Sequence, residues 1–253
     1  MSNTTLKIHP LCQEILSTDP LENAKMDEFW DKLNDLQMKL YLQISGLDFR
    51  GEPNNNESVT ITNRSHAIWD ISQFRINAGS LSQNYVFPEN TLIRSGESIT
   101  VYTQPGAQYS FNSNRPVWNN HGDTATLLNS KGDVISTWIY GNAARDYVLI
   151  SYLHYDGHES RTEGDEYVEL KNLSEYYIDL AGWQLRSELN DHTFTFPSGS
   201  TFAPLGTVLV YTNRLPTADN EYSFNNPTAL WNNTGGRCTL LDYDDNEVAF
   251  YAY

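Results

Sequence analysis

Cysteine is nearly absent. The chain holds two, Cys12 and Cys238, in 253 residues. Two cysteines this far apart make neither a disulfide framework nor a zinc site, and they read as free thiols. Basic residues are also scarce: 16 Lys and Arg stand against 32 Asp and Glu, a net charge of -16. That balance excludes a general nucleic-acid binder, because neutralising phosphates takes a surplus of Lys and Arg. No run of 18 apolar residues occurs, so no membrane-inserted helix is expected. The opening Met1–Pro10 has no apolar stretch and no small-residue cleavage site, which predicts a cytoplasmic chain without a secretory signal. Signatures of catalysis are missing too. There is no Gly-x-Ser-x-Gly elbow, no reactive-cysteine context and no Gly-rich phosphate loop. Glu166 and Glu169 do not make a hydrolase pair, because residues three apart on a strand face opposite sides. A non-enzyme without a cofactor is therefore expected.

Aromatic residues, by contrast, are plentiful, at 13% of the chain with 16 Tyr and 6 Trp. That is enough for sizeable cores. The strongest signal is an internal repeat. Shifted by 109 positions, Glu57, Val59, Asn63 and Asp70 fall on Glu166, Val168, Asn172 and Asp179, and Phe87-Pro88 falls on Phe196-Pro197. After four extra residues in a loop beyond Thr212, the offset is 113, and Trp118-Asn119-Asn120 meets Trp231-Asn232-Asn233. Upstream the offset is 106, placing Ile44-Ser45 on Ile150-Ser151. Two copies of about 100 residues are a tandem pair of domains, not a solenoid. The expected division is a helical extension over 1–39, a first domain over 40–141 and a second over 146–253.

The second copy reads as about seven short strands. They are Val148–Tyr155, Tyr167–Lys171, Ile178–Leu185, Thr193–Phe196, Thr207–Thr212, Arg237–Leu241 and Val248–Tyr253. Seven strands in about 100 residues leave no room for crossover helices, so the fold class is all-β: two tandem β-sandwiches behind an N-terminal amphipathic helix. Trp231-Asn-Asn-Thr-Gly235 reads as a tight turn, with Trp231 closing one end of the core. A ligand role for Asn232 and Asn233 is disfavoured, because the pair recurs as Asn119 and Asn120.

These residues resemble the lamin-tail-domain family, an immunoglobulin-like sandwich. The likeness is carried by Tyr155-Asp-Gly157, Gly164-Asp-Glu-Tyr-Val-Glu-Leu-Lys-Asn172, Asp179-Leu-Ala-Gly-Trp183, Phe196-Pro197 and Trp231-Asn-Asn233 with Gly235. It covers both copies, about 210 of the 253 residues. The first copy departs at its start, with Phe49-Arg-Gly51 and Ser72-Gln-Phe74, and matches well at Trp118-Asn-Asn-His-Gly-Asp123. The resemblance implies an interaction or tethering module with no catalysis of its own, and a protein partner it does not name.

Ahead of the repeat, Ala24–Leu40 carries Met26, Phe29, Trp30, Leu33, Leu36 and Leu40 at spacings of three and four, one amphipathic helix. Phe29, Trp30, Leu33 and Leu36 form its interaction face. Docking on the first sandwich is the expectation, and a short homodimer helix is the alternative; two heptads are too few for an isolated coiled coil. Leu6, Ile8, Leu11, Ile15 and Leu16 are further apolar positions upstream. Charge is uneven: residues 46–141 sum to -2 and residues 142–253 to -11. The acidic second copy suits solubility or a basic partner.

The loops expected to bind are 156–166, 212–221 and 104–108. In the first of these, Asp156, His158, Glu159, Arg161, Glu163 and Asp165 are the candidate binding residues. Asp242, Asp244 and Asn246 alternate like the start of a calcium loop, yet Glu247 stands where that loop needs glycine, which favours a plain turn. His154, Asp156 and His158 alternate as metal ligands can, but Gly157 breaks the strand. A small-ligand, calcium or carbohydrate module is the competing function.

Overall fold

The computed structural model describes residues 20–54, 56–80, 82–188 and 192–253. Cys12 and the apolar positions Leu6 to Leu16 lie outside these. Helix α1 (Pro20–Tyr41) opens with proline, which suits a first helical turn, and gains an exposed Glu28–Lys32 pair one turn apart. The chain then runs straight into the first copy: β1 (Leu42–Asp48), β2 (Ser58–Asn63), β3 (Trp69–Asp70), β4 (Arg75–Ala78), β5 (Asn84–Val86), β6 (Leu92–Ile93), β7 (Ser98–Tyr102), β8 (Gly122–Leu128) and β9 (Val134–Gly141). A one-turn 3₁₀ helix (Arg145–Tyr147) leads into the second copy. Its strands are β10 (Val148–His154), β11 (Tyr167–Asn172), β12 (Tyr177–Asp179), β13 (Gln184–Ser187), β14 (His192–Thr195), β15 (Thr201–Phe202), β16 (Thr207–Tyr211), β17 (Glu221–Ser223), β18 (Arg237–Leu241) and β19 (Glu247–Ala252).

In each copy two sheets enclose a core. Sheet β1-β2-β7 packs on β9-β8-β4-β5, and β10-β11-β16-β17 packs on β14-β13-β18-β19. Alternation drives this: β2 and β11 bury every second residue, Val59 and Ile61 in one, Val168 and Leu170 in the other. Chain order and pairing repeat except that β17 answers only to an isolated Tyr102–Ser110 bridge in the first copy and that β12 alone gains β9 as a neighbour, and the all-β immunoglobulin-like reading holds. One predicted strand divides. Ile178–Leu185 is broken at Gly182, φ 79°, so β12 and β13 enter different sheets, although Ile178, Leu180, Trp183 and Leu185 are all fully buried. The short strands β15 and β17 are additions to the sequence reading.

The repeated asparagines earn their identity. Asn63 Nδ2 donates to the carbonyls of Ala67 (2.8 Å) and Ile93 (3.1 Å), and its Oδ1 accepts from Ser65 N (2.9 Å) and Oγ (2.6 Å). Asn172 does the same with Tyr176, Ala203 and Ser174. A buried side chain with all its polar atoms used fixes where β2 and β11 end.

The helix docks less than expected. Met38 packs against the first core, Leu33 is half-buried, and Phe29, Trp30, Leu36 and Leu40 are 50–55% exposed. Phe29 and Leu36 stay more than half exposed where docking was predicted, although α1 does meet the sandwich at β1 and β9.

Candidate functional site at the junction of the two copies

The copies meet by sharing a sheet. β12 of the second copy pairs in parallel with β9 of the first, Tyr177 opposite Trp138 and Ile178 opposite Ile139. The result is one six-stranded sheet, β15-β12-β9-β8-β4-β5. Side chains cross the boundary in both directions. Ile139 belongs to the second core, and Tyr177 packs against the first, its ring stacked on Trp138 at 6.2 Å. The Tyr177 hydroxyl donates to Gln43 Oε1 at 3.0 Å.

A second contact reinforces the shared sheet. The turn after β18 lays Tyr243 and Asp244 on the turn after Trp118. Tyr243 donates to the Asn120 carbonyl (2.9 Å), and Asp244 Oδ2 meets His121 Nδ1 (2.9 Å). Tyr140, Phe49 and Tyr243 stack in series at 4.4 and 5.4 Å, with the Arg50 guanidinium over both Phe49 and Tyr243. Gly141 turns the chain with φ 57°. A Cβ there would strike the Tyr243 hydroxyl and the His121 carbonyl, so only glycine fits.

Between these contacts lies a cleft of about 730 Å³, lined by Asp48, Phe49, Arg50, Trp138, Asp179, Ser198 and Tyr243 among others. Burial pushes the Asp179 carboxyl up to about 6, against the N–H of Ala181 that donates to it. Clefts at domain boundaries are common ligand sites. Sequence reasoning missed this one because its wall comes from both copies and from six separate segments.

The acidic residues singled out in the sequence are engaged in holding turns. Asp242 Oδ1 accepts from the N–H groups of Asp244 and Asn246, both at 2.9 Å, and its Oδ2 takes the Arg145 guanidinium at 2.6 Å. Asp244 is committed to His121. With its donors so directed, the Asp242, Asp244 and Asn246 stretch is a turn and a brace to the connecting segment. Among the described residues no group of three His, Cys, Asp or Glu is placed to hold a metal ion; His154 and His158 sit ring to ring at 5.5 Å. Asp242 is almost wholly buried, so removing its partner leaves a poorly compensated charge. Arg145→Ala is expected to cost about 2 kcal/mol in urea unfolding.

The loop 156–166 is similarly tied down. Asp165 accepts from the N–H groups of His158 (2.9 Å) and Glu159 (3.0 Å). Burial works against ionisation of Asp165, and the N–H groups of Glu159, His158 and Asp165 together with nearby His154 overcome it, holding the carboxyl below its usual range. Asn233 Nδ2 reaches Asp156 at 3.1 Å and Glu163 at 3.4 Å, and Asn232 and Asn119 close their own turns. Asp156, His158, Glu159 and Arg161 are exposed, and Glu163 and Asp165 are half-buried. None of the six lines the cleft.

The most unusual ionisable groups are a repeated pair. Glu166 is fully buried, accepting from Thr212 Oγ1 (2.9 Å), Leu230 N (2.9 Å) and Trp231 N (3.3 Å). Glu57 repeats this with Thr103, Val117 and Trp118. Each carboxyl pins the Trp-Asn-Asn turn to the core. Their recurrence at equal positions, with a Thr and a Trp also recurring, was the signal available in the sequence. Glu169 faces elsewhere, accepting from Ser151 Oγ at 2.6 Å. Cys238 is a buried free thiol whose pKa burial drives far upward, which makes it unreactive.

A family model described as Lamin Tail Domain matches residues 38–142 and again 141–253. The chain belongs to the lamin-tail-domain family. Both lamin-tail copies are immunoglobulin-like, and domains of this family are generally non-enzymatic interaction modules. A search of curated proteins returns no match. No helix among the described residues is long and apolar enough to cross a membrane.

Proposed function

We propose that this tandem lamin-tail protein is a non-catalytic interaction scaffold. The observation that carries the reading is the seam of α1. Met26, Phe29, Leu33, Leu36 and Leu40 follow alternating spacings of three and four, the seam of a coiled coil, and three of the five are more than half exposed. An apolar stripe of this kind on a helix anchored at one end suits pairing with a helix of a protein partner, a second α1 included. The buried acids support the reading, since Glu57, Glu166 and Asp242 are spent on turns rather than aimed into the cleft. The test is a crosslinking assay between the full chain and a peptide spanning residues 20–41. Phe29→Ser with Leu36→Ser is expected to reduce capture at least about tenfold, as two apolar anchors are each worth more than 1 kcal/mol. Equal capture by the variant would refute the seam.

The cleft favours a second reading, a binder of small polar ligands. Phe49, Trp138 and Tyr243 offer aromatic faces beside Asp48, Arg50 and Asp179, a mixture that suits a sugar. A thermal shift screen with glycans separates this reading from the scaffold, since a ligand of the folded state raises the midpoint.

A further inference from the structure

The joint inside the chain has a vacant twin on its outside. β12 and β15 receive β9 as a third strand. Their counterparts in the first copy, β3 and β6, form a sheet of two strands, so the outer edge of β3 has no strand partner among the described residues. β9 has a counterpart as well. β19 pairs with β18 on one side and stands at the end of its sheet. The chain thus carries one unused donor strand and one unused acceptor edge, of the same kinds that already combine at its centre.

We propose that β19 of one molecule adds in parallel to β3 of a second copy of this chain, reproducing the β9–β12 joint and linking molecules head to tail. The proposal rests on the interaction-scaffold reading and names one partner for it.

Burial supports the match. β9 is buried on both faces over most of its length because the second copy covers it, whereas β19 is largely half-buried or exposed, with Phe250 at 56%. The acceptor side shows the complementary pattern. Tyr41, Ile68 and Leu92 are 43%, 61% and 47% exposed. By the repeat their counterparts are Tyr147, Tyr177 and Thr201; Tyr177 is half-buried in the junction, while Tyr147, at 37%, and Thr201 stay exposed at its margin. Tyr147 shares a recess with Ile139, Tyr177 stacks on Trp138, and Thr201 lines the cleft. The supporting backbone is conserved between copies too: Arg64 N donates to the Tyr41 carbonyl as Leu173 N does to that of Tyr147, both at 2.8 Å. In the proposed register Ile68 lies opposite Tyr251 and Trp69 opposite Ala252.

Charge supports it independently. At the internal joint Asp244 meets His121. The counterpart of Asp244 is Lys131 and that of His121 is Thr234. Thr234 follows Asn233, whose amide reaches Asp156 and Glu163. A Lys from the near-neutral first copy would therefore meet an acidic rim on the second.

Such a contact is heterologous, so it extends instead of closing on a two-fold axis. The internal joint gains from a short connection, worth an effective concentration on the order of millimolar. The external one lacks this and depends on protein concentration.

The test is sedimentation velocity with light scattering on the full chain, from micromolar to millimolar. Average mass is expected to climb past the dimer without a plateau. Ile68→Lys and Ala252→Lys each place a charge on an exposed edge position, which blocks strand addition while sparing the fold, as near-UV circular dichroism will check. Each alone is expected to move the midpoint of association at least about tenfold. Mixed one to one, they are expected to form a dimer that stops, because Ile68→Lys still offers β19 and Ala252→Lys still offers β3. Monomer at every concentration would overturn the proposal and leave the α1 seam standing. A closed dimer lost in Phe29→Ser with Leu36→Ser, yet untouched by Ile68→Lys, would also overturn it and assign self-association to the helix.

Discussion

Replacing Glu166 by alanine is expected to cost about 4 kcal/mol of unfolding free energy at pH 5, because it strands two backbone N–H groups and a threonine hydroxyl in the core. Urea titration checks it. The same site imposes a pH dependence. Burial lifts the Glu166 carboxyl from 4.5 to about 7, against the pull of the Leu230, Thr212 and Trp231 donors. In the unfolded chain the group titrates at its ordinary value. Between the two pKa values the folded state binds more protons than the unfolded one, so stability falls as pH rises. The stabilisation is complete below about 4.5 and is lost as pH passes about 7. A rise of this size corresponds to about 3 kcal/mol at most. Glu57 shifts in the same direction, again chiefly through burial. Below this window the exposed or half-buried acids held low by hydrogen bonds, Asp70, Asp165 and Glu221, work in the opposite sense. Maximum stability is therefore expected near pH 5. Glu166→Gln, which cannot titrate, is expected to flatten the decline from pH 5 to pH 8; an unchanged slope would show that Glu166 is not its source.

The second large effect concerns coupling between the copies. Ile139 sits on a strand of the first copy and in the core of the second, 3% exposed. Ile139→Lys places an ammonium there with no carboxylate partner, which disfavours the docked arrangement by several kcal/mol. Each copy keeps a core of its own. The wild-type chain is expected to unfold in one calorimetric transition and the variant in two, with a summed enthalpy close to the original. A single transition in the variant would mean that the turn contacts of Tyr243 and Asp244 suffice to couple the copies.

Much of the architecture was legible in the sequence because it is written twice. A single Trp-Asn-Asn turn is weak evidence, but its recurrence with Glu, Asn and Phe-Pro in one order fixed two sandwiches. The break at Gly182 was missed although it was legible: Ile178 and Leu180 share one parity and Trp183 and Leu185 the other, so the period-two pattern shifts by one residue at the turn. The acids were ambiguous in the sequence for a physical reason. Alternating Asp and Asn residues serve equally as cation ligands and as acceptors for turn N–H groups, and Arg145, far off in sequence, decides between these for Asp242. The helix was placed correctly but not its exposure, because amphipathicity states that a face wants cover without saying what covers it. The shared sheet had no local signature at all. β9 and β12 read as ordinary strands, and only the extra burial of Ile139 compared with its counterpart Ala252 marks one of them as a bridge.

That bridge also sets an order of events during synthesis. The first copy clears the ribosome before Tyr177 and Ile178 emerge, so its last strand stays naked on one side until a further stretch of about 40 residues is out. A nascent chain paused there presents a sticky flank to any neighbouring polypeptide on the same message. Truncation near residue 141 would make that passing vulnerability permanent, and such a fragment should need a chaperone or a charged substitution at Ile139 to stay dispersed.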